Sequence, residues 1–398
     1  MTESLQPPPR RQERQRPTTG RDPSLRRRIA ALLVLVVIIA AAAANATSCA
    51  GGDETGSTSS STTAASPTSS SAVDSLTSGS TVDSTTATTI PGGAVTSGTV
   101  TGARAKEIGA NELGQIPVLM FHLIGSGKNY LTADGLRFDI ALLRSHGFYP
   151  TTVREMVEGT MEIPAGKTPV VLTFDDSSPG QYRILDDGTV DPDCAVGVLQ
   201  VEVARGNWAP KATFFPLLDV NEGNILFGQP ELAQRKLQNL VEWGYEIGSH
   251  GITHMDFSKA TAAQVKRELA EPQAKLESLI GNGYKVFTLS PPYGEYPSDR
   301  SLLLSGEYEG RTYAYQAVVM AWGESSPSPF SSKFDVTRIP RITAAAPEAV
   351  RKLMKYWNGH RELLYISDGD PGTVSFPKEA PGELGTLRAD LDQRVVEY

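Results

Sequence analysis

Between about residue 115 and residue 345, short runs rich in β-branched and aromatic residues alternate with longer segments whose apolar residues recur every three or four positions. The runs cover residues 117–121, 170–174, 212–215, 245–249, 286–289 and 317–321. Each has the length and composition of a buried strand. The intervening segments place Phe138, Leu142 and Leu143, then Leu232, Leu237, Leu240 and Val241, then Val265, Leu269, Leu276 and Leu279 on single helical faces, as core residues. Gly147-Phe148-Tyr149-Pro150, Gly244 and Gly281-Asn282-Gly283 read as helix stops. Strands and helices in alternation predict an α/β fold on a parallel sheet or barrel.

The first hundred residues follow no such pattern. Arg26, Arg27 and Arg28 precede a wholly apolar run at residues 29–44, which ends in Ala46-Thr47-Ser48 before Cys49. A charged, an apolar and a small-residue region in that order form an export signal. The apolar run is shorter than the ~20 residues that cross a bilayer comfortably, so cleavage is favoured over a permanent anchor. Residues 51–101 are dominated by Ser, Thr, Ala and Gly and cannot bury enough apolar surface to fold. They form a tether whose root-mean-square reach is on the order of 40 Å.

The 398 residues carry a net charge of −8, and the basic residues of the folded part are scattered singly, so nucleic acid is excluded as a partner. Two cysteines, Cys49 and Cys194, cannot make a disulfide scaffold. Cys194 has no Cys or His at ligand spacing, reads as a structural or incidental thiol, and is assigned no role.

Candidate chemistry gathers at strand ends. The run at 170–174 stops at Asp175 and Asp176, adjacent carboxylates that point differently on an extended chain and can take different jobs, one on a metal and one on a proton. A second strand runs into His250, with His254 four residues on; a helical turn there would bring both imidazoles to one ion. A third runs into Ser290-Pro291-Pro292-Tyr293-Gly294, a stiff turn able to aim a backbone N–H at a developing oxyanion. Residues 116–121 form another apolar strand, ending in His122. His146 precedes a helix-ending glycine and reads as a surface residue, and His360 lies at an apparent helix end.

In this order, Thr173-Phe174-Asp175-Asp176, Lys211-Ala212-Thr213-Phe214-Phe215, Gly248-Ser249-His250 through His254, and Pro291-Pro292-Tyr293-Gly294 resemble the motifs of the polysaccharide deacetylase (NodB-homology, carbohydrate esterase family four) group over about residues 115–345. The resemblance implies a distorted (β/α) barrel of about seven strands. It implies that Asp175 is the catalytic base, that Asp176, His250 and His254 bind a divalent metal ion such as zinc, and that the Tyr293 N–H serves the oxyanion. The family's general acid is usually a late histidine, and none after His254 suits; His122 resembles the acid of the circularly permuted branch that deacetylates poly-N-acetylglucosamine. Ser290 stands where an Arg often supports the catalytic Asp, and Arg338 or Arg341 is a conceivable substitute. Ser177 replaces a common glycine, and the long segment at 178–210 suggests a specialised groove. Ala46-Thr47-Ser48-Cys49 is similar to a lipobox, with Cys49 the lipidated residue.

The expected organisation is a signal segment with a basic leader at 1–48, a lipidated, disordered tether at 49–110, a deacetylase domain at 111–345, and a C-terminal helix and extension packed on it at 346–398. The expected function is metal-dependent removal of N-acetyl groups from an envelope or extracellular polysaccharide, by an enzyme held outside the cytoplasm on the membrane through its lipid. An uncleaved anchor and plain secretion are the alternatives for location. A glycan-binding surface protein on a degenerate deacetylase fold, motivated by Ser290 and by the altered residues after Asp176, and an O-acetyl esterase are the alternatives for function.

Overall fold

The computed structural model describes residues 100–398 except 128–129, 207, 220–224 and 347. The chain divides into Met1–Ala87 and Thr88–Tyr398, and every described residue belongs to the second unit. The segment read as an export signal, Cys49 and most of the segment read as a tether therefore lie outside the described residues.

Helix α1 (Gly102–Ile108) leads to β1 (Val118–Phe121), α2 (Ala133–Ser145), β2 (Phe148–Thr151), α3 (Val153–Glu158), β3 (Thr168–Asp175), α4 (Ala195–Ala204), β4 (Thr213–Phe215), α5 (Ala233–Glu242), β5 (Glu246–Ile247), α6 (Ala262–Ile280) and β6 (Thr288–Leu289). An antiparallel hairpin, β7 (Ser305–Tyr308) and β8 (Arg311–Ala314), precedes β9 (Ala317–Val318), β10 (Ile342–Thr343), α7 (Ala349–Asn358), β11 (Thr373–Phe376) and β12 (Arg394–Glu397). β3 is buried along all eight residues, as a central strand of a parallel sheet covered on both faces must be. Around it the parallel sheet runs β10-β1-β3-β4-β5, with β2 pairing the first half of β3. β6 and β9 form a separate parallel pair. Single parallel bridges, Ser249 with Leu289 and Val319 with Ile339, join that pair to the chain leaving β5 and to the chain entering β10. The α/β expectation with a parallel sheet holds; of the expected barrel, regular ladders run through six strands, and the β6–β9 pair meets them through bridges alone.

Register then fixes where the chemistry falls. Phe121, Phe174 and Phe214 are direct neighbours on β1, β3 and β4, and their rings stack at 5.2 and 4.9 Å between centroids. This row is the last in which β1, β3 and β4 all place an apolar residue. One residue further on stand His122, Asp175 and Phe215, so the strand-end groups share one end of the sheet because three phenylalanines share one register.

Three expectations are corrected. Residues 102–108, assigned to the tether, are a helix whose Ala105 packs with Val100, Ala110 and Val396, so folded structure begins before residue 111. Phe138 is exposed on α2, lying under the Arg351 guanidinium of α7 at 4.4 Å, while Leu136, Ile140 and Leu143 form the buried stripe. Phe148-Tyr149-Pro150, read only as a helix stop, is most of β2. Pro150 is tolerated because β2 pairs on one side alone. Cys194 is the N-cap of α4, buried, with the Gly197 N–H 3.4 Å from its sulfur.

The C-terminal segment is fastened to the chain ahead of β1 through Glu112. This buried carboxylate accepts from the Ser375 N–H (2.8 Å), the Asp368 N–H (3.2 Å) and the Tyr365 hydroxyl (3.1 Å). Burial, reinforced by the nearby Asp368 charge, pushes its pKa up to about 8. A raised folded-state pKa means stability that is fully present below the unfolded value near 4.5 and is lost as pH rises toward 8. Glu112→Gln cannot ionise, so its melting temperature relative to the wild type should climb by several degrees from about pH 5 to about pH 8. A difference that stays flat across that window in thermal denaturation would show that Glu112 is charged throughout.

Candidate metal centre and active site

β3 ends at Asp175, and the next two residues leave the strand with φ of 74° at Asp176 and 46° at Ser177. This left-handed step costs roughly 1–2 kcal/mol per residue for a side chain bearing Cβ. It separates two adjacent carboxylates into different environments. Eight non-glycine residues have positive φ among the described residues, and Asp176, Ser177, His254 and Tyr293 are four of them, so backbone strain concentrates here.

Asp176 faces the two histidines. Its Oδ1 lies 3.2 Å from His250 Nε2 and 3.4 Å from His254 Nε2, and it is buried without a well-aligned hydrogen bond. The three ligand-type atoms fall within 4.8 Å of one another. His250 Nδ1 sits 2.6 Å from the Ser290 carbonyl; with Nδ1–H donating there, the Nε2 lone pair is turned toward Asp176. Such a set fits a divalent ion bound about 2.0–2.2 Å from each atom, with positions left open for other ligands. Burial alone would depress the His250 pKa, yet the Asp175 and Asp176 charges raise it; His254 is lowered by burial and by His250.

The histidines do not share a helical face. Residues 250–254 form an irregular turn with φ of 85° at Gly251 and 58° at His254, and their rings meet edge to face at 5.0 Å between centroids. Glu268, from α6, accepts from the backbone of this turn.

Asp175 has a different partner set. Arg341, 1 % exposed, binds it with both arms: Nη1 to Oδ1 and Nη2 to Oδ2, each at 2.7 Å. Ser290 Oγ donates to Oδ2 at 3.0 Å and accepts from Arg341 Nη2 at 2.9 Å. Burial would raise the Asp175 pKa, and the Arg341 guanidinium outweighs it, holding the carboxyl well below the usual range. The support missing at Ser290 therefore comes from Arg341, while Arg338 is exposed. With that support present, Ser290 no longer argues for a degenerate site.

His122 follows β1 and is half-buried, within electrostatic reach of Asp175, Asp176 and His254. It stands outside the three-ligand cluster. Gln181 donates to the His122 carbonyl at 2.8 Å and to the Asp175 carbonyl, tying the two strand ends together. Tyr293, with φ of 58°, is 57 % exposed and sets its ring edge against His254 at 4.3 Å between centroids. His360 stacks on Tyr356 and bonds to that residue's carbonyl at 2.9 Å. His146, partly buried, has Nδ1 2.9 Å from the Leu142 carbonyl. Glu268 and Gln181 escaped the sequence reading, since a Glu on an amphipathic helix and a Gln in a polar loop carry no local signature of their partners.

Residues 162–308 match the family model described as polysaccharide deacetylase. Among similar proteins, an uncharacterised 30.6 kDa protein of Geobacillus stearothermophilus is 31 % identical over 28 % of this chain and 38 % of its own length. The peptidoglycan-N-acetylglucosamine deacetylase PgdA of Listeria monocytogenes is 30 % identical over 39 % of this chain and 27 % of its own. The solved structure of the deacetylase PplD of Streptococcus pyogenes in complex with acetate aligns at 18 % identity and a TM-score of 0.45, covering 61 % of this chain and 97 % of that one. The match spans only 38 %, 58 % and 33 % of the length of the first three curated relatives. The matched segment contains Asp175, Asp176, His250, His254 and Tyr293, and by this match residues 162–308 carry a polysaccharide deacetylase domain.

Proposed function

We propose that the domain removes N-acetyl groups from a polysaccharide of the cell envelope or its surroundings, using a divalent ion, zinc by the character of the ligands, held by Asp176, His250 and His254. The observation that carries this reading is the buried, unbonded Asp176 Oδ1 facing two imidazole Nε2 atoms beside an arginine-clamped carboxylate. Two imidazoles and one carboxylate are the donor set of a catalytic rather than a structural zinc site. The name of PgdA, a peptidoglycan-N-acetylglucosamine deacetylase, supports an N-acetylated glycan as substrate class.

Asp175 acts as the general base. Its Oδ2 already accepts from Arg341 and Ser290, while Oδ1 accepts from Arg341 alone, so Oδ1 keeps the lone pair that takes the proton of the attacking water. When bound, the ion supplies the acidified water that so weak a base requires and polarises the acetyl carbonyl. The Tyr293 N–H donates to the developing oxyanion, and His122, on the other side of Asp175 in the sheet register, protonates the departing sugar amine. The N-terminal segment is read as an export signal ending at a lipidated Cys49, with the tether carrying the domain away from the membrane. Partners are thus an N-acetylated polysaccharide and, through the lipid, a membrane.

Acetate release from a panel of purified N-acetylated glycans, with and without chelator, tests the whole reading; activity indifferent to chelation, or acetate released only from O-acetylated polymers, would overturn it. Asp175→Asn should keep the ion and lose turnover by roughly 10²- to 10⁴-fold, whereas His250→Ala and His254→Ala should lose the ion itself, as metal analysis will show. His122→Ala should retain metal and fold but lose amide hydrolysis more than hydrolysis of an activated ester, whose leaving group needs no acid. The amide-to-ester ratio in His122→Ala and His360→Ala decides which histidine is the acid. Cys49→Ala should free the domain from the membrane fraction or block its maturation; an unaltered membrane-bound species of precursor length would instead establish an uncleaved anchor.

A further inference from the structure

The turn between the two histidines has no helix or strand to hold it, yet Asp176 needs both rings in place. Its backbone is anchored by the His250 N–H on the Pro216 carbonyl (3.3 Å) and by the Ile252 carbonyl, which accepts from the Asp219 N–H (2.9 Å). The Gly251 N–H donates back to Ser249 Oγ (3.3 Å), and the N–H groups of the next two residues converge on one side chain from a different element. Glu268 Oε2 accepts from the N–H groups of Ile252 (2.7 Å) and Thr253 (3.0 Å), and Oε1 accepts from Thr253 Oγ1 (2.7 Å). Glu268 is 1 % exposed on α6 and makes no ion pair among the described residues. A buried carboxylate without a countercharge is costly unless fully hydrogen-bonded, and all three of its donors come from two consecutive residues lying between His250 and His254. Gly251, with φ of 85°, lies close enough that a Cβ there would stand 3.0 Å from Glu268 Oε2, so the turn is drawn tightly onto this carboxylate.

We infer that Glu268 is a positioning residue for the metal centre: by bonding the backbone between the two histidines from α6, it holds His254 in its left-handed conformation and so fixes the spacing of the two imidazoles before the ion arrives. The inference rests on the proposed metal reading and adds to it a residue that touches neither ion nor substrate. Pre-organisation of this kind is expressed in affinity, because without it the ion must itself order the turn.

The test is zinc affinity by titration calorimetry on the purified apo chain, with the visible spectrum of the Co²⁺-loaded protein as a report on ligand geometry, for wild type, Glu268→Ala, Glu268→Gln and Thr253→Val. Glu268→Ala should bind zinc about 10-fold or more weakly and give an altered Co²⁺ spectrum. Glu268→Gln, whose amide oxygen can accept both N–H groups while Thr253 Oγ1 turns to accept from the amide nitrogen, should stay within about 3-fold of wild type. Thr253→Val, which removes one bond at an exposed position and leaves the helix untouched, should weaken binding several-fold and keeps the test open if Glu268→Ala does not fold. Wild-type affinity in both Glu268→Ala and Thr253→Val, or a loss in Glu268→Gln as large as in Glu268→Ala, overturns the inference while leaving the metal site standing. A wild-type chain that takes up no divalent ion overturns the metal reading, and this inference with it.

Discussion

A guanidinium buried to 1 % exposure grips Asp175 across 166 residues of sequence, and the rest of the site is arranged around that pair. Two opposite charges in a water-free interior attract strongly, but each has also lost its hydration, so the pair is favourable only when every donor and lone pair is used. On the donor side that condition is met: Arg341 spends its remaining N–H groups on Thr173 Oγ1 (3.1 Å), Ser290 Oγ and the Met320 carbonyl (2.5 Å), and its guanidinium carbon lies 5.6 Å from the Phe215 ring centroid, while Asp175 Oδ1 alone keeps a lone pair. Removing either partner leaves an uncompensated buried charge, a loss of about 3–5 kcal/mol. The pair also joins the chain entering β10 to the end of β3, where the regular sheet bonding between the β6–β9 pair and its neighbours thins to single bridges.

From this constraint the division of labour between adjacent carboxylates follows. Asp175 is neutralised by Arg341 and locked in direction, so it remains ionised without collecting a cation. Asp176, turned away by a left-handed backbone, is paired with no arginine or lysine among the described residues; two imidazoles stand before it, and a cation is what would complete the balance. The strained φ values at Asp176, His254 and Tyr293 are thus the geometric means by which one sheet end holds unlike electrostatic environments in contact.

Such strain needs rigid surroundings. Below the site the stacked phenylalanines close the sheet, and beside it Gln181 and Glu268 tie down loop backbone that has no secondary structure of its own. Further down, Glu246 accepts from Thr213 Oγ1 (2.8 Å) and Thr288 Oγ1 (2.9 Å), linking β4, β5 and β6 by side chains. The groups at this end that remain comparatively open are Tyr293, His254 and His122, the ones that a polymer arriving from solvent would meet under the proposed reading.

The sequence by itself determined the strands that bury apolar runs, the helices with one apolar stripe, and the groups that stand at strand ends, because all of these are set by short-range periodicity. Thr173 through Asp176, His250 with His254, and Tyr293 could be picked out because each sits within a few residues of the strand that carries it. Only the tertiary structure decided which arginine reaches Asp175, that the histidine turn is irregular and held from α6 by Glu268, that Phe138 faces outward, and that residues 102–108 fold with Val396. The physical reason is the same in each case. A hydrogen bond or ion pair between residues far apart in the chain depends on strand register and helix placement, which are properties of the packed whole, and a side chain such as Arg341 carries no local mark of the partner it will meet.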